Sequence, residues 1–222
     1  MGFTGFTNKT FEFLIQLGFN NNKSWFEENK VIYKKFVLNP FQELVNDLSP
    51  FMLSIDRNFI TAPLVDKTIS RIYRDVRFSK DKSPYRNSVW LTFKRSIKEW
   101  KNSPAYYFEI SPEGWRYGMG FYDVEKSTMD KFREMIDKKP SEFLKAIAFY
   151  KKSAFTLQGD KYKKFLDPSK PLEVQEWYQR KFFYLTDNGP IEDILFSPDL
   201  VNKLLEGFGL LKPLYTFLWK NL

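Results

Sequence analysis

Hydrophobic residues recur every three or four positions through the first third of the chain, for example at Phe11, Leu14 and Ile15. This spacing places them on one side of a helix. Thr7 or Asn8 can cap the first helix, because their short polar side chains accept hydrogen bonds from free backbone amides. The pattern predicts an antiparallel layer of three helices with these approximate limits: 9–17, 25–38 and 41–49.

Two polar breaks separate these helices. The asparagine run 20–22 lies between the first two, where it predicts a turn that caps the second helix. The alternative is that one of its amides contacts a bound ligand. Asn39-Pro40 interrupts the pattern after the second helix, and Ser49-Pro50 is the expected end of the third.

The centre of the chain changes to the period of a strand. Residues 88–94 and 106–110 are rich in aromatic and β-branched side chains, which favour strands. A turn sequence occupies 111–114, and the chain returns as a strand over 115–122. We therefore predict a β-hairpin over 106–122.

Gly118 and Gly120 lie two positions apart on one face of this hairpin. Glycine in a strand lets another backbone or a ligand approach closely. Packing of a bulky aromatic side chain against the strand is the commoner reason for such a pair.

The second half of the chain is predicted to contain helices and short strands. Ser127 caps a helix to about residue 138, and Pro140 opens another to about residue 152; strands are expected at 155–159 and 181–185. A C-terminal helical pair is expected to start at Ser197-Pro198, with breaks near Gly207-Phe208-Gly209 and Pro213.

This order of elements indicates the α+β class. Helices precede and follow the strands, so we expect an antiparallel or mixed sheet packed against N-terminal and C-terminal helical layers. A length of 222 residues fits a single compact domain, 1–222.

The chain contains neither cysteine nor histidine. The missing thiol excludes cysteine nucleophiles, disulfides and thiolate metal sites, and the missing imidazole excludes Ser-His-Asp catalysis. Any acid–base chemistry would therefore use Asp, Glu, Lys or Tyr. Any bound metal would be a hard cation with oxygen ligands, such as Mg²⁺, and no cofactor is evident from the sequence.

The first residues do not resemble a secretory signal, and no run of eighteen apolar residues occurs. We therefore expect a cytoplasmic protein with no membrane partner. The calculated pI of about 9.4 permits contact with nucleic acid, although a lysine-rich surface would produce the same value. The clustering of charge is more informative than its total.

Residues 71–86 carry a net charge of +4, which is half of the +8 of the whole chain. The segment holds two acids, Asp75 and Asp81, and six cations: Arg71, Arg74, Arg77, Lys80, Lys82 and Arg86. Guanidinium groups with hydroxyls between them suit the binding of phosphate or carboxylate groups. The predicted ligand-binding residues are Arg71, Arg74, Arg77, Ser79, Lys82 and Arg86.

An extended conformation would place the residues of 71–78 alternately on two faces. Asp75 would then bridge the two arginines on its own face, Arg71 and Arg77. Arg74 would lie on the apolar face and need a buried partner, either Asp81 or a carbonyl at the end of a helix. If the segment is helical instead, Arg71, Arg74 and Asp75 cluster on one side. Turn residues over 79–84 favour a loop whose backbone amides could help to bind an anion.

The run from Arg71 to Tyr85 resembles one uncharacterised family, a domain of unknown function (type 2461) found in bacteria and some fungi. The resemblance rests on the pattern R-x-x-R-D-x-R-F-S-x-D-K-x-P-Y, and it covers essentially the full length. Further similar segments are Phe3-Thr4-Gly5-Phe6, Asn20-Asn21-Asn22-Lys23, Trp25-Phe26, Gly118-Met119-Gly120-Phe121-Tyr122 and Lys212-Pro213-Leu214-Tyr215. The resemblance implies one compact domain and assigns no catalytic residues.

Several interpretations of the basic segment remain. In the first, it binds an anionic small molecule. In the second, the protein is an enzyme acting on a phosphoryl or acyl group, with Asp75 or Asp81 as base or Mg²⁺ ligand and Lys82 or Tyr85 as acid; Mg²⁺ belongs to this alternative only. In the third, the segment binds nucleic acid together with a second basic area, Lys151-Lys152 and Lys161, Lys163, Lys164. A purely structural role, in which Arg–Asp pairs fasten a loop, is the remaining alternative.

Overall fold

The computed structural model describes residues 2–77, 80–96, 102–121 and 123–221. The chain begins with helix α1 (Asn8–Phe19), and the backbone amide of Thr7 donates to Thr10 Oγ1 at 3.1 Å. Helix α2 (Lys23–Tyr33) follows, capped by Asn22, whose Oδ1 accepts from the amide of Trp25 at 3.0 Å. The predicted turn and cap are therefore confirmed.

Helix α2 passes through a π-helical turn (Lys34–Leu38) directly into α3 (Asn39–Ile55). The predicted interruption at Asn39-Pro40 was wrong: a π-helical turn leads directly into α3, and the carbonyl of Phe36, four residues before Pro40, accepts from the hydroxyl of Thr10 at 2.6 Å. The predicted end at Pro50 was also wrong. The helix continues because its inner face is buried on both sides of the proline, at Phe41, Leu44, Val45, Leu48 and Met52.

Five strands form one antiparallel sheet in the order β1-β2-β3-β5-β4. Their limits are Val89–Phe93 (β1), Ala105–Ser111 (β2), Gly114–Gly120 (β3), Thr156–Gln158 (β4) and Tyr184–Gly189 (β5). The predicted hairpin is confirmed as β2 and β3, and in the pairing of β4 with β5, Leu157 lies opposite Leu185.

Gly118 and Gly120 of β3 face the backbone of β5. A Cβ atom at 118 would overlap the carbonyl oxygen of Leu185, and one at 120 would overlap Tyr184. Of the three reasons considered for this glycine pair, close approach of another backbone is therefore the one observed.

Four more helices follow β3, with limits Lys126–Lys138 (α4), Pro140–Ala146 (α5), Leu172–Tyr178 (α6) and Asp199–Asn221 (α7). Short 3₁₀ turns occur at Tyr150–Lys152 and Asp193–Phe196. Helix α6 was not predicted. The predicted C-terminal pair was wrong, because α7 is one helix of 23 residues that includes Pro213. The helices at both ends and the sheet confirm the α+β class.

Contacts divide the chain into two compact units. The first comprises Met1–Phe93, Tyr107–Tyr117 and Asn188–Leu205, and the second comprises Lys94–Tyr106, Gly118–Asp187 and Glu206–Leu222. Aromatic rings fill both cores: Phe6, Phe41 and Phe108 in the first, and Phe132, Phe143, Trp177 and Phe183 in the second. The single domain over 1–222 stays a prediction.

Over the described ranges, no helix combines the length and the apolar character that crossing a bilayer requires.

Candidate functional site

Residues 71–86, called the basic loop below, belong to the first unit and consist of two facing arms, 71–77 and 80–86. The backbone amide of Arg74 donates to the carbonyl of Pro84, and that of Arg86 to the carbonyl of Ile72, both at 2.8 Å. These bonds flank the antiparallel pair Tyr73 and Tyr85. The pairing at Tyr73 agrees with the extended alternative, and the helical alternative is wrong because 71–77 contains no helix.

The side chain of Asn21 attaches the base of the loop to the turn between α1 and α2. Its Nδ2 donates to the carbonyl of Tyr85 at 3.0 Å, and its Oδ1 accepts from the amide of Tyr85 at 2.9 Å. The Tyr85 ring is buried and stacks on Phe26 with centroids 4.4 Å apart. The loop therefore starts from a fixed position in the first unit.

Burial alternates along the first arm as predicted. Ile72 is buried and Arg74 and Val76 are half-buried, whereas Tyr73 is exposed. Arg74 forms an ion pair with Asp81, one of the two partners considered from the sequence. Its guanidinium thus connects the two arms.

Asp81 is held in place from its own arm as well. It accepts from the hydroxyl of Ser83 at 2.6 Å and from the amide of Ser83 at 2.9 Å. This is the local side-chain-to-backbone pattern of an Asx turn. The predicted ligand residue Ser79 lies outside the described residues.

The two outermost arginines of the first arm bind different carboxylates. Arg77 forms a two-pronged contact with Asp75, through Nε at 3.0 Å and Nη2 at 2.7 Å. Arg71 pairs with Asp66 at 2.8 Å. Asp75 was predicted to bridge both arginines, and that part of the prediction was wrong because Asp66 takes the place of Asp75 beside Arg71.

Asp66 was missed by the sequence analysis. It has a φ of +67°, a left-handed conformation that Asp tolerates better than most residues. In this turn its amide donates to the carbonyl of Ile69 at 2.9 Å. The turn presents the carboxylate of Asp66 to Arg71.

The three cations of the second arm have no carboxylate partner among the described residues. Lys82 donates to the carbonyl of Val76 at 2.9 Å. Arg86 donates to the carbonyls of Arg71 and Tyr73 at 3.3 and 3.2 Å, and its guanidinium lies 5.0 Å from the ring centroid of Trp90. Lys80 is exposed. Within the described residues, Lys82 and Arg86 are therefore held by neutral carbonyls and not by ion pairs.

Both acids of the basic loop have lowered pKa values. Hydrogen bonds from the Arg77 side chain and amide lower the pKa of Asp75 to about 2. Hydrogen bonds from Ser83, followed by the charge of Arg74, lower the pKa of Asp81. Both carboxylates are ionised near neutral pH and are weak proton acceptors.

The four residues named as catalytic candidates occupy different environments. Asp75 and Asp81 bind different arginines, Lys82 donates to a backbone carbonyl, and Tyr85 is buried, which raises the pKa of its hydroxyl. Within the described parts of the chain, no group of three or more carboxylates is placed to hold a metal ion.

The second basic area lies in the second unit. Lys151 pairs with Glu173 at 3.4 Å, and Lys152, Lys161, Lys163 and Lys164 are exposed.

Comparison with known proteins supports the resemblance seen in the sequence. A search of curated proteins gave no match. The family model of the conserved hypothetical proteins DUF2461 matches residues 9–217, which is nearly the whole chain. The chain therefore belongs to the DUF2461 family.

Proposed function

We propose that the basic loop binds a small ligand that carries a phosphate or carboxylate group. The observation that carries this proposal is the charge of the second arm. Lys82 and Arg86 donate to backbone carbonyls, which are neutral, so their charges stay available to an anion. Counting Asp66 with the loop, six cations face three acids.

The paired arginines also remain accessible to a ligand. The side chains of Arg71 and Arg77 are 62% and 76% exposed, and each pairs with an acid at the surface. An exposed ion pair such as Arg71–Asp66 contributes only about 0–1 kcal/mol, so a phosphate group can compete with Asp66 at little cost, whereas the two-pronged contact of Arg77 with Asp75 is harder to displace. Guanidinium groups bind phosphate with two parallel hydrogen bonds, which makes such an exchange favourable.

The loop is also held in position without a ligand. Asn21 binds both backbone groups of Tyr85, and the arms are joined by backbone bonds at Arg74 and Arg86. A positioned set of donors loses less conformational entropy on binding than a flexible one.

The carboxylates of the loop favour binding over acid–base catalysis. Asp75, with a pKa of about 2, and Asp81, with a lowered pKa, would be poor bases near pH 7. The enzyme alternative, with Mg²⁺ bound at these acids, therefore has less support than the binding function.

Thermal unfolding with inorganic phosphate, citrate and nucleotides tests the proposal. A ligand at 100 times its Kd adds about 2.7 kcal/mol of stability, which raises the Tm of a domain of this size by roughly 5–10 °C. We expect such a rise for at least one of these ligands, and we expect it to persist in EDTA. Potassium chloride at equal ionic strength controls for general salt effects.

Two double variants distinguish the effect of the loop's cations from the effect of the protein's overall charge. K82Q/R86Q removes two cations of the loop, and K152Q/K164Q removes two exposed lysines of the second basic area. We expect the first variant to lose the rise in Tm and the second to keep it. An equal rise in both variants, or no rise with any ligand, would contradict the proposal. A requirement for Mg²⁺ would favour the enzyme alternative, and tight, strongly salt-dependent binding of oligonucleotides would favour the nucleic-acid alternative.

A further inference from the structure

We infer that the ligand of the basic loop carries a planar aromatic ring, as a nucleotide does, and that this ring stacks on Tyr73. The inference rests on the proposed function and specifies the class of ligand. Of the loop's aromatic residues that the structure describes, Tyr85 is buried, whereas Tyr73 is 50% exposed. Tyr73 is therefore an accessible ring within the segment that carries the cations.

Tyr73 is the exposed end of a column of rings. Its centroid lies 5.1 Å from that of Tyr85 and 6.0 Å from that of Phe26, and these two rings are themselves stacked and buried. A tyrosine supported in this way presents its accessible surface with little loss of side-chain entropy on binding. A half-exposed ring that is already fixed is suited to stack a second planar group.

Two arginines lie beside the backbone segment that carries this ring. Arg86 donates to the carbonyls of Tyr73 and Arg71, so its guanidinium lies against the backbone that carries the ring. Arg71 projects from the same face two residues earlier, a separation of about 6.6 Å along an extended chain. In a nucleotide, the sugar holds the base and the phosphate at a comparable distance from each other. One small molecule can therefore contact both Tyr73 and Arg71.

Isothermal titration with adenosine 5′-monophosphate and ribose 5-phosphate tests the inference, because the two probes share the sugar phosphate and differ in the base. Base–aromatic stacking corresponds to roughly 5- to 150-fold in affinity. We expect the wild-type protein to bind the nucleotide at least about 5-fold more tightly than the sugar phosphate.

Two variants assign this preference to the ring. Tyr73→Leu keeps an apolar side chain and removes the ring, whereas Tyr73→Phe keeps the ring. We expect Tyr73→Leu to lose the preference for the nucleotide with unchanged affinity for ribose 5-phosphate, and Tyr73→Phe to keep both values. The Tm of each variant without ligand shows that it is folded.

The outcomes separate the two proposals. Equal affinities for the two probes in the wild-type protein would overturn the stacking inference and leave the anion site standing. A similar loss of affinity for both probes in Tyr73→Leu would also overturn the inference, because the ring would then stabilise the loop instead of stacking on the base. Failure of both probes and of inorganic phosphate and citrate to bind would overturn both proposals.

Discussion

The carboxamide of Asn21 exchanges two hydrogen bonds with the backbone of Tyr85, as one strand residue does with its neighbour. A side chain 64 residues away in sequence thus continues the pairing of the basic loop. The neighbouring asparagines act locally: Asn22 caps α2, and Asn20 donates to the carbonyl of Gln16 at 3.0 Å. Three identical residues therefore have different structural effects.

We expect Asn21→Ala to destabilise the protein by about 1–3 kcal/mol, because two partly buried hydrogen bonds are lost and each contributes roughly 0.5–1.5 kcal/mol. Urea unfolding followed by circular dichroism measures this change. Asn20→Ala is the matched control, and its loss is expected to be below about 1 kcal/mol because its bonds are exposed. Equal losses for the two variants would contradict the docking role of Asn21.

At the scale of elements, the close approach of β3 and β5 depends on residues without a side chain. Gly118 faces the carbonyl of Leu185 so closely that no Cβ fits between the strands. Gly18 in α1 is the opposite case, because a Cβ there would lie 3.6 Å from the Asn87 side chain, which is an ordinary contact. The same residue type is thus required in the sheet and dispensable in the helix.

Gly118→Ala is expected to cost about 1–3 kcal/mol, the usual range for overpacking, because β5 must move away from β3. Gly18→Ala is expected to be neutral or to stabilise by up to about 1 kcal/mol, since alanine is the better helix former. Urea midpoints of the two variants against the wild-type protein measure both effects. A neutral Gly118→Ala would show that the strands separate without cost.

Elements with a strong local pattern could be predicted from the sequence, and elements held by distant contacts could not. The β2–β3 hairpin and α4 follow from local periodicity and turn residues. Helix α7 continues through Gly209 and Pro213 because one face is buried along its length, at Leu200, Leu204, Phe208, Leu211, Tyr215 and Leu218. Each such side chain contributes about 1.5–3 kcal/mol when buried, which together exceeds the cost of one proline and two glycines.

Helix α6 is a short element that local sequence patterns also fail to predict. Its last carbonyls accept from arginine side chains, Tyr178 from Arg133 Nε at 2.9 Å and Glu176 from Arg180 Nε at 3.3 Å. Arg133 lies 45 residues before Tyr178, so no local pattern reveals this end of the helix. Trp177 adds burial in the core of the second unit.

The basic loop was also predicted in part. The pairing of Arg74 with Asp81 follows from alternation, because a guanidinium on the inner face needs a nearby acid. The pairing of Arg71 with Asp66 depends on a left-handed turn, and the contact of Asn21 with Tyr85 depends on how the loop lies against α1 and α2. Neither arrangement has a signal in the spacing of residues.

For the whole molecule, the absence of histidine and cysteine determines how stability depends on pH. No side-chain type in the chain has an ordinary pKa between about 4.3 and 10. Burial raises the pKa of Tyr33 to about 12, with a smaller contribution from the charge of Tyr73. Below pH 10 Tyr33 is neutral in both the folded and the unfolded chain; between pH 10 and 12 the unfolded chain releases its proton first, so stability is lost as pH rises through this window.

We therefore expect nearly constant stability from about pH 5.5 to 8.5 and a steep loss above pH 10, to which Tyr33 contributes about 2 kcal/mol at pH 11.5. Tyr33→Phe removes the ionisable hydroxyl and should lose about 2 kcal/mol less than the wild-type protein between pH 8 and pH 11.5. Urea unfolding at the two pH values measures this difference, with Tyr184→Phe as a matched exchange of tyrosine for phenylalanine in β5. Parallel pH profiles for wild-type and Tyr33→Phe proteins would show that the hydroxyl of Tyr33 does not set the alkaline limit, and the loss would then be assigned to other tyrosines whose pKa burial raises, such as Tyr85, Tyr150 and Tyr178.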